Sequence, residues 1–90
     1  MAGAAGEEKL VADQAMNVDI DDTWDAGDMG CGDLVLRLRM KLRAMPGKTL
    51  KVIATDAGAP ADLPSFCRMT GDTLLHVDPQ SHSYWIKARG

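Results

Sequence analysis

From Leu34 onward, apolar residues recur as Leu34/Val35, Leu38, Leu42 and Met45. Steps of three and four place them on one stripe of a helix running from about Gly32 to Met45, and a one-sided stripe must be buried against a second layer. The spacing puts Arg37, Lys41 and Ala44 on the back of this helix, with Arg39 and Arg43 at the flank. Leu36 and Met40, four apart, fall outside the core stripe and are candidates for contact with a partner. Just before the stripe, Met29-Gly30-Cys31-Gly32-Asp33 sets one cysteine between two glycines. Cys31 therefore lies at or next to a helix N-terminus, where unpaired N–H groups favour a thiolate. The helix end contributes roughly 0.3–1 kcal/mol, and the Asp33 carboxylate opposes it. The local sequence alone allows two roles for Cys31, a modestly activated nucleophile or a small apolar residue under the helix.

What surrounds this helix alternates with it. Thr23-Trp24-Asp25-Ala26 reads as a short first strand, and Gly27-Asp28-Met29-Gly30 as the loop that delivers Cys31. Met45-Pro46-Gly47-Lys48 stops the helix. Thr49–Thr55 is the clearest strand, with Leu50, Val52 and Ala54 alternating against Lys51, Ile53 and Thr55. Asp56 to Pro60 forms a loop. A shorter helix then spans Ala61–Thr70, interrupted by Pro64 near its start, with Leu63, Phe66, Cys67 and Met69 turned inward. After the Gly71-Asp72 turn, Thr73–Asp78 and Ser83–Ala88 form a hairpin across Pro79–His82. The order β-α-β-α-β-β, joined by short loops, predicts an α/β (α+β) two-layer sandwich: a four-stranded mixed sheet with both helices on one face.

Ninety residues allow one domain with a thin core, because a chain this short buries only roughly 60% of its unfolded surface. Residues 1–20 open with small residues and lack sustained periodicity, so they read as a flexible extension to a domain at 21–90. The net charge of −3 conceals a polarity. Up to Asp33 nine acids stand against Lys9, giving −8, and beyond it nine bases stand against four acids, giving +5. The plainer reading is an acidic tail on a mildly basic domain; the sharper one is a basic side that meets an anionic partner surface.

The two cysteines form neither a CxxC pair nor a metal-ligand spacing. Cys67 sits on the inward stripe and reads as core, and His76 and His82 carry no ligand spacing. No cofactor or metal site is expected. No signal peptide or membrane-length apolar run is visible, so a reducing cytoplasm is the expected setting. Nucleic acid is not an expected partner: the net charge is acidic and no aromatics interleave with the bases.

Several of these strings together resemble the TusA/SirA-like family of small sulfur carriers. That family carries Leu-Asp on its first strand, a Gly-Leu loop, then Cys-Pro-x-Pro at the start of the first helix. The corresponding string is Trp24-Asp25-Ala26-Gly27-Asp28-Met29-Gly30-Cys31-Gly32-Asp33-Leu34. The family's Pro-Gly-x-x-Leu is matched by Pro46-Gly47-Lys48-Thr49-Leu50. Its later aspartate and Asp-(Ile/Leu)-Pro-x-(Phe/Trp)-Cys are matched by Asp56 and Asp62-Leu63-Pro64-Ser65-Phe66-Cys67. The departures fall on the signature: Gly32 and Leu34 replace both prolines, and Asp28 stands at the loop glycine.

The resemblance implies that Cys31 accepts a sulfane sulfur as a persulfide and relays it. Gly30, Gly32 and Asp33 would form the helix N-terminus around the thiol, and Leu36, Arg39, Met40 and Arg43 would face partners. Those partners would be a sulfur donor, of cysteine desulfurase or rhodanese type, and a downstream acceptor protein. Loss of both prolines favours the alternative, a non-catalytic interaction or regulatory module of the same fold. Restoring proline at both positions is expected to rigidify the turn and leave the fold intact.

Overall fold

A computed structural model describes residues 20–90. The expected N-terminal extension lies outside the described residues. The elements are β1 (Asp22–Gly27), α1 (Cys31–Arg43), β2 (Thr49–Ala54), α2 (Ala59–Thr70), β3 (Thr73–Asp78) and β4 (Ser83–Lys87). They follow the expected β-α-β-α-β-β order. One sheet has the strand order β1-β2-β4-β3, with β1 and β2 parallel and the other neighbours antiparallel.

The stripe on α1 supplies Leu34, Leu38 and Leu42 to one core. The stripe on α2 supplies Ala59, Leu63, Phe66 and Cys67, and the sheet supplies Leu50, Val52, Ala54, Tyr84 and Ile86. One cluster fed by both helices and by alternate strand positions places the two helices on the same face. The other face holds the row Lys51, Trp85 and His76, paired across three strands. The Lys51 Nζ lies 5.2 Å from the Trp85 ring centroid, and the His76 ring packs against Trp85 at 5.2 Å. His76 therefore has a packing role that its isolated position in the sequence does not signal. A bulge between Leu74 and His76 makes this possible by shifting the alternation of β3.

Three expectations are corrected. Met69 is 84% exposed, not inward. At 100° per residue it stands roughly 100° from the centre of the α2 stripe. Lys41 is half-buried rather than on the back of α1, because it flanks the stripe closely enough to lay its stem along Trp24, with Nζ 5.4 Å from the ring centroid. The back of α1 is instead Leu36 and Met40, roughly 160° from the stripe centre. α2 also starts two residues earlier than expected and runs through Pro64. With Pro60 at its second position, it meets one proline where no N–H partner is needed and another where one bond is lost.

The connection into β2 is a type II turn. The Lys48 N–H donates to the Met45 carbonyl at 3.0 Å, Pro46 presets φ, and Gly47 adopts φ 75°.

Candidate functional site

Because β1 and β2 run parallel, their carboxyl ends lie on one edge of the sheet, fastened by the Thr55 N–H donating to the Gly27 carbonyl at 2.8 Å. Each strand leads into a helix, so the N-termini of α1 and α2 both open toward that edge. This is where open parallel sheets generally gather chemistry.

Gly30 is the N-cap of α1 in extended conformation, without a side-chain capping bond, and Cys31 is the first helical residue. The first intrahelical bond runs from the Leu34 N–H to the Gly30 carbonyl at 2.8 Å. The N–H groups from Gly30 to Asp33 precede it and have no partner within the helix, so they point outward along the axis. Gly32 is exposed, and a Cβ built on it meets nothing within 4 Å. Asp33 adds its carboxylate to the first turn. The predicted trio Gly30, Gly32 and Asp33 is thus assembled around the Cys31 backbone. Which of the two roles the Cys31 side chain takes lies outside the described residues.

Leu34 tells a different story from Gly32. It is fully buried, and its N–H is the donor of that first bond. A proline at position 34 removes both the bond and the core side chain, so the expectation that both motif positions accept proline is corrected for Leu34.

The same edge carries groups that sequence reading did not place there. Gly58 caps α2, and its N–H donates to the Asp56 Oδ2 at 3.0 Å. A Cβ on Gly58 would stand 3.0 Å from the Asp62 Oδ2 and 3.1 Å from the Asp56 Oδ2. Two carboxylates thus occupy the N-terminus of α2, and glycine is the residue that leaves room for them. The parallel pairing of the first two strands brings their exit loops together.

The second cysteine is chemically different. Cys67 is 4% exposed, and burial, with the Asp72 charge behind it, pushes its thiol up to about 11. It stays protonated at neutral pH and serves the core, as its inward spacing implied.

Leu36, Arg39, Met40 and Arg43 form one exposed strip along α1, with Leu36 and Met40 58% and 65% exposed. At 1.5 Å per residue Arg39 and Arg43 lie about 12 and 18 Å along the axis from Cys31, well beyond the first turn of the helix. Both instead line a cavity of about 330 Å³ at the far end, together with Leu42, Met69, Thr70, Asp72 and Arg89. Neither Arg89 nor Asp72 carries a local sequence signal for a site. Among the described residues no cluster of three or more His, Cys, Asp or Glu has metal-binding geometry, and no helix is long and apolar enough to cross a membrane.

The family model described as sulfurtransferase TusA matches residues 22–88, which is the whole sheet and both helices. The chain belongs to the TusA family. It is 35% identical over 77 residues to the sulfur carrier protein TusA of Pseudomonas aeruginosa LESB58, covering 82% of this chain and 98% of that one. It is 37% identical over 71 residues to the Pseudomonas fluorescens SBW25 protein of the same name, covering 76% and 86%. A putative sulfur carrier protein of Neisseria meningitidis serogroup A is 42% identical over 60 residues, covering 66% and 81%. The exposed α1 strip and the arginine cavity are surfaces of this matched domain.

Proposed function

We propose that this protein is a sulfur carrier that takes a sulfane sulfur as a persulfide on Cys31 and relays it to an acceptor protein. The observation that carries the reading is the place of Cys31: first residue of α1, at the edge where both parallel strands end. Membership in a family whose named relatives are sulfur carriers supports it.

The chemistry is an exchange at sulfur. The Cys31 thiolate attacks the terminal sulfur of a donor persulfide, the S–S bond of the donor breaks, and the donor leaves as its thiolate. No net oxidation occurs, because one persulfide is formed as another is consumed. In the second step an acceptor thiolate attacks the outer sulfur and Cys31 departs as thiolate. The outward N–H groups of Gly32 and Asp33 at the α1 N-terminus favour the anionic sulfur at both steps. A donor of cysteine desulfurase or rhodanese type and a downstream acceptor are the partners, and Leu36, Arg39, Met40 and Arg43 are the surface that meets them. A reducing cytoplasm, where an unprotected persulfide carrier keeps its thiol, is the compartment this role requires.

Intact mass spectrometry after incubation with a desulfurase and cysteine tests the proposal. A gain of about 32 Da, lost on treatment with a thiol reductant and missing in Cys31→Ser, is the expected result. A parent protein that stays unmodified with several donors, while Cys31→Ser retains partner binding, would establish the non-catalytic interaction module instead.

A further inference from the structure

The cavity at the far end of α1 and the acidity of the chain's first residues are both left over by the sulfur chemistry, and they match. Three guanidinium-bearing residues, Arg39, Arg43 and Arg89, line the cavity with a single carboxylate, Asp72. Asp72 is engaged by neutral donors. Its Oδ1 accepts from the Arg89 backbone N–H at 2.8 Å, and its Oδ2 accepts from the Thr70 hydroxyl at 2.6 Å. The lining therefore keeps a formal surplus of positive charge, rimmed by the apolar side chains of Leu42 and Met69.

We propose that Glu7, Glu8 and Asp13, from the segment that precedes β1, occupy this arginine cavity in the same molecule. The geometry of the exit supports it. Asp21 is pinned to the end of the sheet: its N–H donates to the Thr49 carbonyl, and the Thr49 N–H donates to its Oδ2, both at 2.8 Å. Thr49 is paired with Lys87, and Lys87 with Thr73, so Asp21 shares an end of the sheet with Asp72 and Arg89. From β1 to β4 there are two strand spacings and to β3 three, about 10 and 14 Å. Eight residues separate Asp13 from Asp21 and span at most about 26–29 Å, which is ample.

The segment brings four acids against Lys9. Tethering presents them at an effective concentration in the millimolar range, so individually weak contacts suffice. Cavity occupation needs nothing from the sulfur-carrier reading. Its consequence rests on that reading: the segment would compete with an acidic partner for Arg39 and Arg43, and so would tune docking without touching Cys31.

The test compares the full-length protein with the full-length Glu7→Gln/Glu8→Gln/Asp13→Asn variant by NMR. At about 10 mM salt, where the Debye length is ~30 Å, the backbone amides of Thr70, Gly71, Asp72 and Arg89 should differ between the two. The side-chain N–H signals of Arg39, Arg43 and Arg89 should differ with them. At about 1 M salt, with a Debye length of ~3 Å, these differences should collapse. The reciprocal full-length variant Arg39→Gln/Arg89→Gln should shift the amides of residues 7–13. Cavity signals that are unmoved at low salt, or that differ equally at both salt concentrations, overturn the inference. So do changes confined to the Lys51/Trp85/His76 face. A protein that shows the cavity response but never gains sulfur keeps this inference and loses the previous one.

Discussion

Proline scanning at the two positions where the family signature carries proline gives opposite outcomes, and the structure sets their sizes. Gly32 is the second residue of α1, its N–H has no partner within the helix, and a Cβ there meets nothing within 4 Å. The same fold already tolerates proline at the second helical position, at Pro60 of α2. Gly32→Pro therefore changes mainly the unfolded chain, and it should stabilise by about 0.4–1 kcal/mol. Leu34→Pro removes the Leu34 to Gly30 hydrogen bond and sets the ring against that carbonyl, which costs about 3 kcal/mol. It also truncates a fully buried leucine, for which Leu→Ala costs of about 2–5 kcal/mol set an upper bound. The combined loss, roughly 4–7 kcal/mol, rivals the whole stability of a domain this size, about 5–13 kcal/mol.

Thermal and urea melts followed by circular dichroism decide the matter. Gly32→Pro should melt at or a few degrees above the parent, and Leu34→Pro should melt far below it or lack a cooperative transition. The double variant should follow Leu34→Pro. A Leu34→Pro protein as stable as Gly32→Pro would refute the assignment of the Leu34 N–H and side chain, and with it the reading that α1 begins at Cys31.

Other consequences are as direct. Iodoacetamide under native conditions should modify Cys31 and spare Cys67 until the protein unfolds, as peptide mapping reads; preferential labelling of Cys67 would reverse the site assignment. The raised Cys67 pKa makes the unfolded thiol lose its proton first, so stability present below pH 9 should decline as pH climbs toward about 11. Urea titrations across that window should show the decline, worth up to about 3 kcal/mol, in the parent and not in Cys67→Ala. Gly71→Ala should cost about 1–2 kcal/mol in the same assay. Gly71 ends α2 at φ 85°, and its Cβ would press on the Arg89 side chain at 3.3 Å.

The parts of the fold legible in the sequence are those written in a single period. Leu34, Leu38 and Leu42 repeat as one stripe, and Leu50, Val52 and Ala54 alternate, and each set is buried as its period requires. Misplacement came where a residue lies at the border of a stripe. Lys41 and Met69 are separated from their stripes by angles at which burial depends on the neighbouring layer, Trp24 for one and open solvent for the other. The position of Cys31 at a helix start was legible, because glycine, a following acid and an apolar run mark that boundary locally. The presence of Asp56, Gly58 and Asp62 at the same edge was not, because adjacency there is made by the β1–β2 pairing, and no local pattern records which strands pair.

The start of α1 shows how the fold is kept with Gly32 and Leu34 at the positions where the resemblance sets proline. A proline three residues after the cysteine lacks the N–H that would bond the residue before the cysteine, so a helix with that bond cannot form around it. With leucine at 34 the bond is made, Gly30 becomes the cap, and Cys31 is drawn into the first turn. The leucine also brings a buried side chain that a proline would supply only in part. Rigidity lost at Gly32 is thus offset by an added hydrogen bond and deeper packing one residue beyond Asp33. What changes is the backbone around Cys31: glycine stands on both sides, and a Cβ built on Gly32 meets nothing within 4 Å. On the sulfur-carrier proposal, a donor or acceptor would meet a helix end without the rigidity of proline. On the same proposal, selection among partners would fall to the exposed strip beyond it, Leu36, Arg39, Met40 and Arg43.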